Sequence, residues 1–270
     1  MAERSAERSP GRSDFVAAIA DGRDHLVASA RAAGPDARVP SAHRWTVRDL
    51  VVHAGNVHAW ASLVLRSGVE QPQVFDAEPT GIGGGFDDLL FWYAGRAGAL
   101  LDLLLGDEAP DDRPCWTFGP PGTAAFWPRR QAHEVTMHAV DAALAAGSSV
   151  ADALDRLDPG LSADGVDEVL TVMLPRVAMF VPRPALPGRL ALVVTDAERR
   201  WVLEPDGQLA SAVGDTDDVE VSATLVGPAS GLFGLLWSRA FLAADGAELG
   251  VQVEGDPAVV AALFAARLTP

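Results

Sequence analysis

The 270-residue chain is poor in several residue types, and each scarcity excludes a class of protein. It contains no lysine, so all 21 basic residues are arginines, and 37 acidic residues bring the formal net charge to −16. An acidic surface disfavours nucleic acid and anionic membranes as partners. The single cysteine, Cys115, excludes an internal disulfide and a cysteine-rich zinc site. Such a residue is more often a small buried hydrophobe, so a reactive thiol is expected to come from a cofactor.

Long apolar runs are also missing from the chain. No uninterrupted apolar stretch approaches membrane-spanning length, and the first residues lack the apolar core of a signal peptide. We therefore expect a cytoplasmic protein. Residues 1–13 are polar and charged, and we expect them to form a disordered tail.

Helical patterns dominate the first part of the chain. They cover Phe15–Ala33, Thr46–Ser67, Phe86–Leu105 and Phe126–Gly147. Thr46 and Asp49 form a variant capping box at the start of the second helix. Four long helices with two lengthy connections predict a four-helix bundle over residues 14–160, and sites in bundles are built from facing helices.

The pattern changes after the fourth helix. Strands are predicted at Arg189–Val194, Arg200–Glu204, Val219–Val226 and Leu249–Glu254, and helices at Gly165–Leu174, Pro228–Ala240 and Ala258–Leu268. Asp256 is the expected N-cap of the last helix. The fold class is therefore α+β, with a four-helix bundle followed by a smaller α+β domain over residues 161–270.

A polar stripe runs along the fourth helix. At about 100° per residue, the stripe comprises Trp127, Arg130, Glu134, His138 and Asp141. Apolar residues flank it on both sides, which is unusual for a solvated face. We therefore expect the stripe to point into a helix-lined cavity. Glu134 and His138 are four residues apart, one turn along one face, and suit two ligands of one metal ion.

His53 completes this candidate site from the second helix. It lies within an apolar stripe that includes Leu50, while Gly55 and Ser62 are assigned to the solvated face. The alternative for His53 is a core histidine bonded to a neighbour. Together with Glu134 and His138 it would supply three protein ligands to Zn²⁺ and leave one coordination position open, as in catalytic sites.

Other polar and aromatic residues have possible roles near this site. Arg130 and Arg96 could hold substrate carboxylates through forked hydrogen bonds, with Arg130 as a catalytic candidate and Arg96 as a cofactor-binding candidate. Arg130 could equally form an ion pair with Glu134. Asp141 could orient an imidazole or could cap the stripe toward solvent. Trp127 is a candidate for cofactor binding, with core packing as the more common alternative.

Two helical motifs resemble a known family. W-T-V-R-D-L-V-V-H at Trp45–His53 and R-R-Q-A-H-E-V-T-M-H-A-V-D at Arg129–Asp141 resemble the metal-binding domain of the mycothiol-dependent maleylpyruvate isomerase family. W-S-R at Trp237–Arg239 and V-E-G-D-P at Val253–Pro257 are similar to its C-terminal domain. The resemblance implies a DinB-like bundle with His53, Glu134 and His138 as metal ligands. It also implies mycothiol as thiol co-substrate and a substrate-directed role for Arg239.

Three functions fit these residues. A thiol in the open position would ionise near neutral pH and add to a small electrophile, as in a cis–trans isomerase or a mycothiol S-transferase. Water in that position would instead make a metal-dependent hydrolase. The third alternative is a non-catalytic protein that binds metal or thiol. We expect the enzyme that uses mycothiol and a divalent metal, with Zn²⁺ indicated by the ligand set, and we expect no nucleic-acid or membrane partner.

Overall fold

The computed structural model describes residues 9–42, 44–68, 79–81, 83–212 and 219–270. The chain forms two compact units, and each is described by itself. One unit spans Gly11–Ser149, and the other comprises Val150–Pro270 together with the described residues Ser9 and Pro10. His43 and most of the loop after the second helix lie outside the described residues.

Four long helices make up the first unit. They are α1 (Arg12–Ala33), α2 (Val47–Ser67), α3 (Phe86–Leu105) and α4 (Phe126–Ala145), with a single 3₁₀ turn at Pro40–Ala42. Thr46 is the N-cap of α2: its side chain accepts from the Asp49 N–H while the Asp49 carboxylate accepts from the Thr46 N–H. This reciprocal pairing satisfies N–H groups that the first helical turn would leave open, as the sequence predicts.

Close helix contacts in the first unit depend on two glycines. A Cβ at Gly22 of α1 would lie 2.9 Å from Cγ1 of Val135 on α4, so the missing side chain lets these helices approach. A Cβ at Gly55 of α2 would lie 2.2 Å from the Trp92 ring of α3. Gly55 is therefore buried between helices, and the assignment of Gly55 and Ser62 to a solvated face is wrong. Both α3 and α4 cover α2, so a second face of this helix is buried.

The fourth helix is the most enclosed element of the first unit. Sixteen of its twenty residues are buried, because α1 and α2 both pack against it. A continuous apolar core joins residues of all four helices, and its fully buried members are Leu26, Ala30, Val39, Val47, Leu50, Val51, Tyr93 and Ala142. Most polar residues of α4 are thus held in an interior setting.

The second unit is built on one mixed sheet. Its strands are β1 (Leu190–Val194), β2 (Arg199–Leu203), β3 (Leu209–Ala212), β4 (Ala223–Gly227) and β5 (Gln252–Gly255), in the order β3-β2-β1-β4-β5. Only the central β1–β4 pair is parallel; the other pairs are antiparallel. This arrangement, after a helical bundle, confirms the predicted α+β class.

Helices cover this sheet and extend from it. They are α5 (Val150–Asp155), α6 (Pro159–Glu168), α7 (Leu174–Val177), α8 (Ala229–Leu236), α9 (Leu242–Asp245) and α10 (Pro257–Phe264). Both α8 and α10 contact β4, and Asp256 caps α10 by accepting from the Ala258 N–H. A π-helical segment, Val169–Met173, joins α6 to α7, and the Leu174 N–H donates to the Val169 carbonyl five residues earlier.

Several predicted boundaries differ from those of the structure. The predicted domain boundary at residue 160 falls inside the second unit, because α5 packs against α8, where Leu154 touches Gly234. The helix predicted from Gly165 begins earlier, at Pro159, where the Asp158 carboxylate accepts from the Leu161 N–H. The strand β3 has no counterpart among the predictions.

The N-terminal boundary also differs from the expected tail of residues 1–13. Residues 1–8 lie outside the described part of the chain, but α1 already begins at Arg12. The Arg12 guanidinium donates to the carbonyls of Leu104 and Ala109, which fixes this end of the helix against the end of α3. Among the described residues, no helix combines the length and apolar composition needed to cross a membrane.

Candidate metal centre

Three side chains from two helices converge inside the first unit. His53 comes from α2, and Glu134 and His138 come from α4; one donor atom from each lies within 4.8 Å of the others. The Oε1 atom of Glu134 lies 3.2 Å from Nε2 of His138 and 3.5 Å from Nε2 of His53. The structure thus brings together the three residues that the sequence analysis selected.

Partial burial distinguishes this triad from an acidic surface cluster. The exposed side-chain fractions are 27% for His53, 17% for Glu134 and 8% for His138. The group is therefore sheltered by the bundle but still reached by solvent on the His53 side.

Arg130 contacts the far oxygen of the shared carboxylate. Its Nη2 atom donates to Glu134 Oε2 at 2.8 Å, and the Arg130 side chain is 4% exposed. This is the i,i+4 ion pair that the sequence analysis gave as one of two alternatives. Because Arg130 occupies Oε2, the other oxygen, Oε1, faces the two imidazoles. The substrate-binding role of Arg130 stays a prediction.

His138 is held from its other ring nitrogen. Its Nδ1 atom lies 2.9 Å from Asp141 Oδ2, and Asp141 is 1% exposed. The Ser41 hydroxyl, in the 3₁₀ turn between α1 and α2, donates to Oδ1 of the same carboxylate. Asp141 therefore orients an imidazole and does not cap the polar stripe toward solvent. Ser41 was missed by the sequence analysis because it lies in an irregular segment without helical spacing.

The aromatic ring of Trp45 lies over the two histidines. Its centroid is 4.7 Å from that of His53 and 6.3 Å from that of His138. The two imidazoles are themselves 5.1 Å apart, nearly edge to face. Trp45 is two residues before the start of α2, so the segment that leads into this helix places an apolar indole ring beside the triad.

The electrostatics of the triad favour charged groups despite burial. Burial alone would raise the pKa of Glu134, but hydrogen bonds with His138 and His53 and the charge of Arg130 hold that pKa well below its usual range. Burial would lower the pKa of His138, but hydrogen bonds to Asp141 and Glu134 outweigh it and raise the pKa to about 9. A cation at this point would take the place of the His138 proton on Nε2.

The remaining interior histidines of the bundle have other partners. His58, 1% exposed, pairs through Nδ1 with Gln131 Oε1 at 2.7 Å. Burial is the main cause that lowers the pKa of His58 to about 4. His133 packs edge to face against Phe15 of α1 at 6.0 Å between ring centroids. Within the described residues, neither histidine belongs to the group of potential metal ligands.

Other predicted site residues lie in different surroundings. Trp127 is fully buried in an aromatic cluster with Trp60 and Trp116. Arg96 is exposed and lies over the Trp92 ring, which packs on Gly55. Gly55 is about 200° around α2 from His53, so Arg96 is on another side of this helix. The cofactor-binding roles of Arg96 and Trp127 stay predictions.

Two further residues are placed by their own local contacts. Arg239 lies in the second unit, where its Nη1 donates to the Trp237 carbonyl at 2.7 Å and its guanidinium lies over the Trp237 ring. Its proposed action on substrate stays a prediction. Cys115 is 4% exposed, and burial raises the pKa of its thiol, which disfavours the reactive thiolate.

The donor set of the triad fits a divalent transition metal. Two imidazoles and one carboxylate are typical ligands of Zn²⁺, and three protein ligands leave a fourth position for water or substrate. The hydrogen bond from Nδ1 of His138 to Asp141 leaves Nε2 as the atom that faces the other donors. Bonds of this kind to the far nitrogen accompany most metal-bound histidines.

Comparisons with known proteins give one family match and similar solved structures. Residues 16–143 match the family model of the mycothiol maleylpyruvate isomerase N-terminal domain. The solved structures similar to this chain include a mycothiol-dependent maleylpyruvate isomerase (14% identity, TM-score 0.47) and a mutant of a protein with that name (13% identity, TM-score 0.49). Each similarity covers 84% of this chain and 88% of the other. No curated protein matches the chain.

Proposed function

We propose a metal- and mycothiol-dependent enzyme, because the N-terminal domain of this chain, residues 16–143, belongs to the mycothiol maleylpyruvate isomerase family. It would add an activated thiolate to a small electrophile, either as a cis–trans isomerase or as a mycothiol S-transferase. The observation that carries the proposal is the convergence of His53, Glu134 and His138. The cytoplasmic location stays a prediction.

We assign the metal ligands to this triad. His53 Nε2, Glu134 Oε1 and His138 Nε2 would hold one Zn²⁺ ion. When bound, the ion would supply Lewis acidity that lowers the pKa of a thiol in the open position. Arg130 would keep the second oxygen of Glu134 from turning toward the open position, because it already pairs with that oxygen.

The thiol chemistry of an isomerase requires no other reactant. The thiolate adds to one alkene carbon, and the electron pair of the double bond moves onto the conjugated carbonyl group. Rotation about the resulting single bond and expulsion of the thiolate restore the double bond in the trans geometry. In a transferase the thiolate remains bonded to carbon, the enolate takes up the proton that the thiol lost on ionisation, and the product leaves as the adduct. The partly exposed His53 side gives a small electrophile an approach to this reaction.

The source of the thiol follows from the described cysteine and from the family. The buried Cys115, whose thiol pKa is raised, is a poor nucleophile. A low-molecular-weight thiol is therefore needed, and mycothiol is the one that the family name implies. Arg239 would act on the charge of the substrate, in line with the resemblance of Trp237–Arg239 to the family's C-terminal domain.

Metal analysis provides the first test. We expect about one equivalent of Zn²⁺ in the purified wild-type chain and a large loss of it in His138→Ala, because one of three ligands is removed. His25→Ala is the matched control, since this exposed histidine lies on α1 and pairs with Asp21. Equal metal content in all three proteins would exclude the assignment.

A cobalt-substituted enzyme tests the thiol. Mycothiol that binds the ion should produce a sulfur-to-cobalt charge-transfer band in wild type and in Cys115→Ser, but not in His53→Ala. No spectral change at saturating mycothiol, combined with metal-dependent ester or amide hydrolysis, would instead support the hydrolase, because water would then fill the open position. Within the thiol mechanism, Arg239→Ala should impair turnover more than metal binding.

A further inference from the structure

The connection between α1 and α2 contacts the candidate metal centre from outside the two ligand-bearing helices. It contains Ser41, whose hydroxyl donates to Asp141 Oδ1, and Trp45, whose ring lies against His53. None of the three metal-ligand candidates belongs to this segment. Its contacts therefore act on the orientation of the ligands and not on their number.

Backbone hydrogen bonds join the two ends of this connection. The Val39 N–H donates to the Trp45 carbonyl at 3.0 Å, and the Ala42 N–H donates to the Val39 carbonyl at 3.1 Å. An isolated β-bridge joins Arg38 to Thr46, the N-cap of α2. Because these hydrogen bonds hold both ends of the segment, the backbone conformation fixes the position of Ser41. The position of its hydroxyl therefore does not depend on the side-chain rotamer alone.

The carboxylate of Asp141 links this segment to His138. One oxygen accepts from Ser41, and the other is 2.9 Å from His138 Nδ1. An ionised carboxylate only accepts hydrogen bonds, so Nδ1 must carry the proton. The neutral form of His138 then has its lone pair on Nε2, the atom that faces Glu134 and His53.

We propose that Ser41 and Asp141 are positioning residues that fix His138 in the Nδ1–H tautomer, with Nε2 directed at the metal. Ser41 holds Asp141 in the rotamer that reaches Nδ1, and Asp141 holds the ring. This inference rests on the proposed metal site and extends it to a residue outside α2 and α4. Removal of such a partner lowers metal affinity by about 10- to 100-fold in other metal sites.

Two substitutions test this relay through metal affinity. In Asp141→Asn, the side-chain amide can present its NH₂ group to Nδ1, which favours the wrong tautomer, as in the serine-protease triad. We expect Zn²⁺ affinity, measured by competition with a chelator, to fall about 10- to 100-fold. Ser41→Ala should lower the Zn²⁺ affinity less than Asp141→Asn does. Ser41→Thr should keep the affinity of the wild type because the hydroxyl is retained.

A spectroscopic readout separates positioning from general damage. In the Zn²⁺-loaded wild type, ¹⁵N-histidine NMR should show a slowly exchanging Nδ1–H and a metal-bound Nε2 for His138. Exchange of this proton should accelerate in Ser41→Ala and Asp141→Asn. Ser62→Ala is the matched control, since this buried hydroxyl donates to the His58 carbonyl on α2 and lies outside the relay. It should change neither readout.

The outcomes distinguish this inference from the function on which it rests. Zn²⁺ affinity within twofold of wild type in both Ser41→Ala and Asp141→Asn, with an unchanged Nδ1–H signal, would overturn the relay alone. A wild-type chain that binds no Zn²⁺ would overturn the proposed function and the relay together. If Asp141→Asn fails to fold, the Ser41→Ala and Ser41→Thr pair decides, because neither substitution removes the buried carboxylate.

Discussion

Replacement of Arg130 by methionine should destabilise the metal-free protein far more than the metal-loaded protein. In the metal-free site at neutral pH, the carboxylates of Glu134 and Asp141 are balanced by Arg130 and by protonated His138, whose pKa is raised to about 9. The variant leaves one buried carboxylate uncompensated. A divalent ion, with His138 then neutral at Nε2, would instead restore a neutral site.

The magnitude follows from the burial of the pair. Arg130 and Glu134 have side chains that are 4% and 17% exposed. Loss of one partner of a buried ion pair destabilises a protein by about 3–5 kcal/mol, and we expect about 3 kcal/mol here because His138 still faces Glu134. With saturating Zn²⁺ the loss should be about 1 kcal/mol or less. The difference of about 2 kcal/mol corresponds to roughly 30-fold tighter Zn²⁺ binding by Arg130→Met.

Urea denaturation followed by far-ultraviolet circular dichroism, with EDTA and with Zn²⁺, measures these free energies of unfolding. Arg31→Met is the control, because its ion pair with Asp87 is on the surface, with side chains 57% and 82% exposed. Such a pair contributes at most about 1 kcal/mol, whether metal is present or not. Equal destabilisation of Arg130→Met in EDTA and Zn²⁺, or weaker Zn²⁺ binding, would refute the charge argument. If Arg130→Met raises only the KM and changes neither stability nor Zn²⁺ binding, Arg130 is assigned to substrate binding.

Three further predictions concern the interior of the chain. Because the pKa of His58 is lowered to about 4, the stability that its neutral form contributes is complete above pH 6.5 and is lost as pH falls toward 4. His58→Asn should remove about 3 kcal/mol of this acid dependence. If the free energies of unfolding of wild type and variant, measured in urea, fall in parallel between pH 6.5 and 4, the prediction is contradicted. Gly55→Ala should destabilise the protein by about 1–2 kcal/mol because the new Cβ meets the Trp92 ring. Gly95→Ala, on an open part of α3, should stabilise it by up to about 1 kcal/mol. Melting temperatures that shift in the same direction for both variants would exclude this difference. Cys115→Ala should leave thiol-dependent turnover within about twofold of wild type, since burial keeps this thiol protonated, and abolished turnover in a folded variant would make Cys115 the nucleophile.

Helical periodicity was sufficient to predict the bundle and the inward direction of its polar residues. The third helix has the predicted bounds, Phe86–Leu105, and Thr46 caps the second helix as the capping box indicates. Periodicity also selected the residues of the triad, because Glu134 and His138 share one helical face. Such patterns identify the buried face of each helix. The packing of α2 against α4 then brings His53 next to Glu134 and His138.

Periodicity was insufficient where a residue depends on tertiary contacts. The apolar stripe that includes Leu50 places Gly55 on the solvated side of α2, but α3 covers that side of the helix as well. Ser41 belongs to an irregular segment, so no spacing connects it with Asp141, which lies 100 residues further along the chain. The strand β3 is only four residues long and owes its formation to pairing with β2.

The unequal distribution of the candidate metal ligands between the helices would affect the lifetime of a bound ion. Glu134 and His138 are one turn apart on α4, so that turn presents two donors even when α2 is displaced, whereas His53 depends on the docking of α2. Capture of an ion would therefore proceed in two stages, with a weak bidentate encounter followed by closure. The exchange rate would be governed by the opening of α2 rather than by simultaneous rupture of three bonds.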